Sequence, residues 1–333
     1  MSARTWTIFA AVSTLWGIPY MFIKIAVNGG VTPGVLAWGR VALASVVLLS
    51  LARRSGSLRD LRGRWRWLGL YGLVEISIPF PLIAAGEEHI SSSLAAIIIA
   101  TVPLLVALLA LRFDPAERAT GTRLVGLFTG LLGVVALVGI DASGKLETLL
   151  GAGAVLLAAA GYAAGPMIFK RHLADLDPRA TMGASLAVAA VILTPVALLD
   201  APSRTPSLGA VGAVVVLGLV CTALAFALVG LLISEIGPAR AAVITYINPV
   251  IAVALGVTFL GEQPGAGAVA GLLLILAGSW LSTDGRLPPG LTTLFRRSRR
   301  DRALSVDRPI DGPWKFAGVG AARRPPAPLP IPR

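Results

Sequence analysis

Ten apolar stretches, each about long enough to cross a bilayer, fill residues 5–283, and the second five repeat the pattern of the first five about 146 residues later. Crossing about 30 Å of hydrocarbon as a helix takes roughly 20 apolar residues. That length places the spans near 5–25, 33–52, 66–85, 91–111, 121–140, 149–169, 180–199, 208–231, 238–260 and 264–283. Lipid cannot satisfy a bare backbone, so apolar spans of this kind are helices. The expected fold is therefore an all-α polytopic membrane protein, ten transmembrane helices arranged as two inverted five-helix repeats. Inversion follows from the odd number of spans in each repeat, a construction that lets one central site open alternately to either side. The first span runs apolar as far as Lys24 without a short apolar region followed by a small-residue cleavage site, so it is expected to stay in the mature chain.

Composition enters where the charge is to be explained. The chain is 56% hydrophobic and only 14% charged, yet its net charge is +12. Soluble domains carry about 25% charged residues. The excess of basic residues would suit nucleic acid, but their placement argues for topology. With the N-terminus inside, the cytoplasmic loops hold Arg53, Arg54, Arg59, Arg62, Arg64, Arg66, Arg112, Arg118, Arg123, Lys170, Arg171, Arg179 and Arg240, against Lys145 and Arg204 on the other side. The positive-inside rule then puts both termini in the cytoplasm. Residues 284–333 form a basic, Pro-rich tail, expected to be disordered. Anionic lipid would attract it at about 1 kcal/mol per basic residue.

The repeat holds residue by residue. Pro103 maps on Pro249 at an offset of 146, and Glu117, Gly126 and Gly133 map on Glu262, Gly271 and Gly278 at 145. In the first span Phe22-Ile23-Lys24 falls on Ile168-Phe169-Lys170, and Trp16 on Tyr162. The expected division is 1–140 for the first repeat and 149–283 for the second. Several chemistries find no support. Cys221 is the single cysteine, His89 and His172 lie in loops on opposite sides, and there is no Walker-type phosphate loop. No cofactor, metal or ATP motor is therefore expected.

Leu15-Trp16-Gly17 with Lys24, Arg40 in the second span, the Ser-Ser-Leu-Ala-Ala run ending at Pro103, and Gly261-Glu262 before a Gly-rich last span together resemble the EamA-type carriers of the drug/metabolite transporter superfamily. The resemblance covers about residues 5–283. It implies a ten-helix inverted-repeat bundle in the plasma membrane, with a central cavity, that exports or imports small metabolites. One departure stands out: the usual Gly-Glu-Arg turn after the fourth span reads Asp114-Pro115-Ala116-Glu117-Arg118.

Charges inside spans are the sharpest pointers to a site, because each costs at least about 2.5–3.5 kcal/mol near the bilayer centre. Lys24, Arg40 and Glu75 qualify. Arg40 and Glu75 come from opposite ends of neighbouring spans to depths that differ by only about 6 Å, which predicts an Arg40–Glu75 pair. It is either a structural ion pair or a working one, with Glu75 as a proton-coupling or cation-binding carboxylate and Arg40 as its partner or an anion ligand. Lys24 either extends its amine to the outer headgroups or faces substrate. Trp16 and Tyr20, one turn apart, and Tyr246 with Asn248 are candidates for an apolar pocket with few polar contacts. Among the prolines within spans, Pro103 and Pro249 are the expected cavity or hinge residues because they occupy equivalent places. Gly126, Gly130, Gly133, Gly267, Gly271 and Gly278 are expected to serve helix packing. Trp65 and Trp67 read as an interfacial belt, and Glu87, Glu88 and His89 as a solvated outer loop.

These features predict a secondary transporter of small organic metabolites (amino acids, amines or drug-like compounds), working as an exporter by alternating access, as monomer or homodimer, in contact with the bilayer and not with nucleic acid, with proton coupling as a further expectation. The alternatives are a membrane-embedded enzyme or a non-transporting sensor or scaffold. Neither accounts for the inverted duplication.

Overall fold

A computed structural model describes residues 2–113, 120–141, 145–236, 241 and 243–284. Glu117, Arg118, Arg240 and the basic tail lie outside them. Every regular element among the described residues is helical. Grouped by span, they are α1 (Ala3–Asn28), α2 (Pro33–Ser55), α3 (Trp65–His89), α4 (Ser92–Arg112), α6 (Leu146–His172), α7 (Pro178–Leu199) and α8 (Leu208–Ile233), all seven long and apolar enough to span. Three shorter apolar helices complete the set: α5 (Thr122–Asp141), α9 (Ile244–Leu260) and α10 (Ala266–Asp284).

The helices pair by a two-fold logic. α2 lies against α7, α4 against α9 and α5 against α10, each with its own counterpart from the other half. The remaining contacts come in matched sets, α3 with α6 and α8 with α1, α1 with α9 and α6 with α4. Small residues set the closest approaches. A side chain at Gly278 would strike the backbone of Gly130, and one at Gly133 would strike Leu274 and Ile275, so α5 and α10 touch almost backbone to backbone.

Local geometry repeats as well. α3 and α8 each open into a wider i→i+5 turn, at Leu73–Ser77 and Leu219–Leu224, immediately after Gly72 and Gly218. In both, a hydroxyl reaches back five residues: Ser77 donates to the Gly72 carbonyl (3.1 Å) and Thr222 to the Leu217 carbonyl (2.7 Å). Such bulges re-aim the side chains around them and recur at functional sites. Nothing in the apolar pattern marks them, since a five-residue turn leaves the hydropathy unchanged.

Prolines place the other breaks. α1 divides at Ile18, between Ala3–Gly17 and Pro19–Asn28, and α4 divides between Ser92–Ile99 and the segment from Val102. Proline offers no N–H to the carbonyl four residues earlier. That carbonyl belongs to Glu75 for Pro79, Ile99 for Pro103 and Tyr162 for Pro166. Freed carbonyls must face protein or a wet cavity. α3 differs from the expected span by running on to His89, so Glu87, Glu88 and His89 sit in a helix and not in a solvated loop. Glu87 has no exposed surface at all.

Candidate functional site

The three residues whose carbonyls are freed in this way line one cavity of about 320 Å³. It lies at the seam of the halves, lined from α1, α2, α3 and α4 on one side and α6, α8 and α9 on the other. Its wall is mostly apolar, with a few polar groups that converge. Trp16, Tyr20, Arg40 and Glu75 of the first half and Asn248 of the second all line it, as do Pro103 and Pro249. Tyr162, the counterpart of Trp16, lines it too.

Arg40 is 7% exposed and is fixed from two sides. Its Nε donates to Thr222 Oγ1 at 2.8 Å, and its guanidinium carbon stands 4.1 Å from the centre of the Phe80 ring. Thr222 is positioned by the bulge of α8 and Phe80 by the Pro79-Phe80-Pro81 turn of α3. A cation over an aromatic face in a desolvated site gains about 2 kcal/mol. Arg40 lines the cavity, and with Nε engaged its two terminal nitrogens remain, a pair whose geometry suits a carboxylate.

Glu75 stands in the bulge of α3, and its Oε2 is buried without a hydrogen-bond partner. That oxygen lies so close to Gly165 of α6 that a side chain there would collide with it. The expected Arg40–Glu75 pair is not formed. The two groups line the same cavity, but Arg40 is turned onto Phe80 and Thr222 while Glu75 is turned toward α6. Depth along a helix is legible from residue counting, whereas the rotation that aims a side chain is set by the bulges.

Lys24 and Tyr246 do not line the cavity. Lys24 neither extends to headgroups nor faces substrate; its Nζ donates to the carbonyls of Glu87 and of Ile90 (2.9 Å), closing the end of α3. A cation suits helix-terminal carbonyls, which carry partial negative charge. Tyr246 donates to the Ser279 carbonyl (3.2 Å) and its ring meets Trp280 of α10, while Asn248, half a turn on, reaches the site. Oriented by its surroundings, the Asn248 amide nitrogen donates to the carbonyls of Ile244 (3.0 Å) and Ser13 (3.1 Å), which ties α9 to α1. Of the two belt candidates, Trp65 is exposed, but Trp67 stacks on His172 with ring centres 3.4 Å apart. Phe80 and Phe226, which line the cavity, and Thr222, which holds Arg40, carry no mark in the sequence that sets them apart.

A second contact between halves lies beyond the cavity. Glu262, between α9 and α10, accepts from the backbone N–H of Ser92 (2.7 Å) and Ser93 (2.9 Å) and from Ser93 Oγ (2.5 Å), capping α4. Partial burial pushes its carboxyl up, but the hydrogen bonds from Ser93 and Ser92 outweigh this and hold it below the usual glutamate range. Removing a cap costs about 0.5–2 kcal/mol, so Glu262→Ala is expected to lower the unfolding midpoint in detergent. A carboxyl held low stabilises fully above its unfolded value and loses that contribution as pH falls through the folded one. The difference between wild type and Glu262→Ala should therefore vanish only below about pH 4. A difference that instead grew in acid would rule this cap out.

Two matched five-helix halves around a polar-spotted cavity, matched by a transporter family over both halves, make this a polytopic membrane transporter and not an enzyme. The EamA-like transporter family matches this chain twice, over residues 4–139 and 149–283, and the chain belongs to that family. It is 30% identical over 76% of its length to 81% of an uncharacterized inner membrane transporter, YedA, of Escherichia coli K12. Two further relatives are 26% identical: a probable terminal-alkyne amino-acid exporter of Streptantibioticus cattleyicolor, over 83% of this chain and 94% of that one, and a probable amino-acid metabolite efflux pump of Salmonella typhimurium, over 86% and 96%. A solved crystal structure shares the fold at a TM-score of 0.62, with 22% identity over 85% of this chain and 98% of its own.

Proposed function

We propose that this chain is a secondary transporter that exports small amino-carboxylates, amino acids or their close derivatives, by alternating access around the seam cavity. One observation carries the reading: Arg40 and Glu75 line the same apolar cavity without pairing to each other. An anion fork and an acceptor held apart suit a ligand that carries a carboxylate and an ammonium, with an apolar side chain against Trp16, Phe80 and Phe226. In this reading Glu75 takes the ammonium, Arg40 takes the carboxylate, and Tyr20 and Asn248 line the remainder. Pro103 and Pro249 are the hinges, Pro103 just after the break in α4 and Pro249 inside α9, both in the cavity wall. Two relatives bear names of amino-acid export, in keeping with this substrate class.

In this reading both termini are cytoplasmic, as the loop charges favour, and the membrane is the inner one, as in the name of the Escherichia coli relative. The inverted halves are residues 1–140 and 149–283, acting within one chain as monomer or homodimer. The test is a thermal-shift series on the purified protein. A ligand that binds only the folded state raises its stability with log concentration. Free amino acids with apolar side chains are expected to raise the unfolding midpoint, whereas their methyl esters and N-acetyl forms, each lacking one charge, are not. A panel in which esters or simple amines stabilise as well as the zwitterions would overturn the assignment of Arg40 to a carboxylate.

A further inference from the structure

Glu87 is the acid that the cavity does not use. It lies in the last turn of α3, wholly buried, and neither carboxyl oxygen has a hydrogen-bond partner. Ser92 Oγ, at the start of α4, is also wholly buried without a partner. Leaving a carboxylate unpaired in such a place costs several kcal/mol, and a proton removes most of that cost. The cation at hand does not neutralise it, because Lys24 gives its amine to the backbone carbonyls of Glu87 and Ile90.

We propose that Glu87 is the proton site of this transporter, filled when the end of the bundle that carries the α3–α4 and α9–α10 connections closes, and emptied to water when that end opens. The proposal rests on the transporter reading above and places a proton-controlled gate outside the substrate cavity. Lys24 supplies the switch. With Glu87 neutral it caps α3, as observed; with Glu87 ionised it has a carboxylate competing for the same amine. Lys24 belongs to the segment Pro19–Asn28, which the break at Ile18 separates from the rest of α1, and Tyr20 one turn away lines the cavity. A shift of that segment therefore reaches the substrate site.

The groups that act on Glu87 come from three sides: Lys24 and Tyr20 from α1, Arg40 from α2 and Glu262 from the α9–α10 connection. Glu262 is held by Ser92 and Ser93, so the same end is latched shut in the structure. The position equivalent to Glu87, 146 residues on, is Ile233, which cannot titrate. Among the described residues the nearest acid at the other end, Glu235, is paired with Arg4 and Thr5, so it is not an unpartnered counterpart of Glu87. Each closure moves one proton from water to the Glu87 carboxylate, and each opening returns it.

The gate can be read without knowing the substrate. In the full-length chain with Cys221→Ala, an Ile90→Cys substitution puts a thiol at a position now 4% exposed, beside Lys24. Its maleimide labelling in proteoliposomes, normalised to Lys145→Cys at an exposed site to remove the thiol's own pH dependence, is expected to be about tenfold slower in acid than in alkaline buffer. Glu87→Gln, a mimic of the protonated acid, should label slowly at every pH, and Glu87→Asp should keep the dependence. Glu75→Gln should also keep it, which separates the gate from the substrate reading: an unsubstituted chain that shows no amino-acid thermal shift but an intact gate profile would sink only the latter. The proposal falls if the Ile90→Cys chain shows no pH dependence, if Glu87→Gln retains it, if Glu87→Asp loses it while still folding, or if Glu75→Gln abolishes it. It falls too if sodium, and not acid, slows the labelling, which would make the site a metal-cation site.

Discussion

Arg40→Ala is expected to weaken binding of an apolar amino acid by about a hundredfold, read by titration calorimetry of the purified protein. Truncating one partner of a buried charged contact costs about 2–5 kcal/mol, and about 1.4 kcal/mol is tenfold in affinity. Arg40→Lys should recover little of it. Lysine keeps the charge but not the Nε that bonds Thr222, the plane that covers Phe80, or the fork that remains for a carboxylate. The discriminating ligand is the amino-acid methyl ester, which has no carboxylate to lose: its weak binding should change little in the variant. Equal losses for acid and ester would mean that Arg40 supports the cavity and does not touch the substrate.

The second large effect concerns stability. Gly278→Leu is expected to destabilise the protein by about 3 kcal/mol or more, since there is no rotamer that avoids the backbone of Gly130 and the Gly126 carbonyl. α5 and α10 would have to separate along the contact where the two halves meet most closely. The control is Gly153→Leu in α6, where a side chain meets nothing within 4 Å. It should leave the unfolding midpoint in detergent within about 0.5 kcal/mol of the parent. If Gly278→Leu unfolded at the same midpoint as that control, the close approach of α5 and α10 would not be what holds the halves together.

The two effects come from parts of the chain that are unequally legible. Residue order singles out Gly278, as one of three landmarks at a constant offset in a Gly-rich span, but does not say what it touches. The cost of a charge in a span marks Arg40 and Glu75, and their similar depth follows from counting residues. Their separation does not, because Leu73–Ser77 and Leu219–Leu224 widen by one residue per turn and rotate everything after them. Lys24 and Tyr246 carry the same marks as true cavity residues, an amine in a span and an aromatic before a proline, yet one caps α3 and the other bonds α10. Glu87 is hidden for a different reason: a Glu-Glu-His run looks like water-loving loop, and only the extension of α3 to His89 and the helices around it take it out of solvent.

By itself, then, the sequence determined the spans, the duplication and the class of fold, since these depend on hydropathy over about 20 residues and on the chain being counted, both local quantities. Tertiary structure alone decided which of the charged and aromatic residues share the cavity. That choice depends on helix rotation, on bulges that leave hydropathy unchanged, and on contacts between residues far apart in the chain, such as Arg40 with Thr222, 182 positions on, and Ser93 with Glu262, 169 positions on.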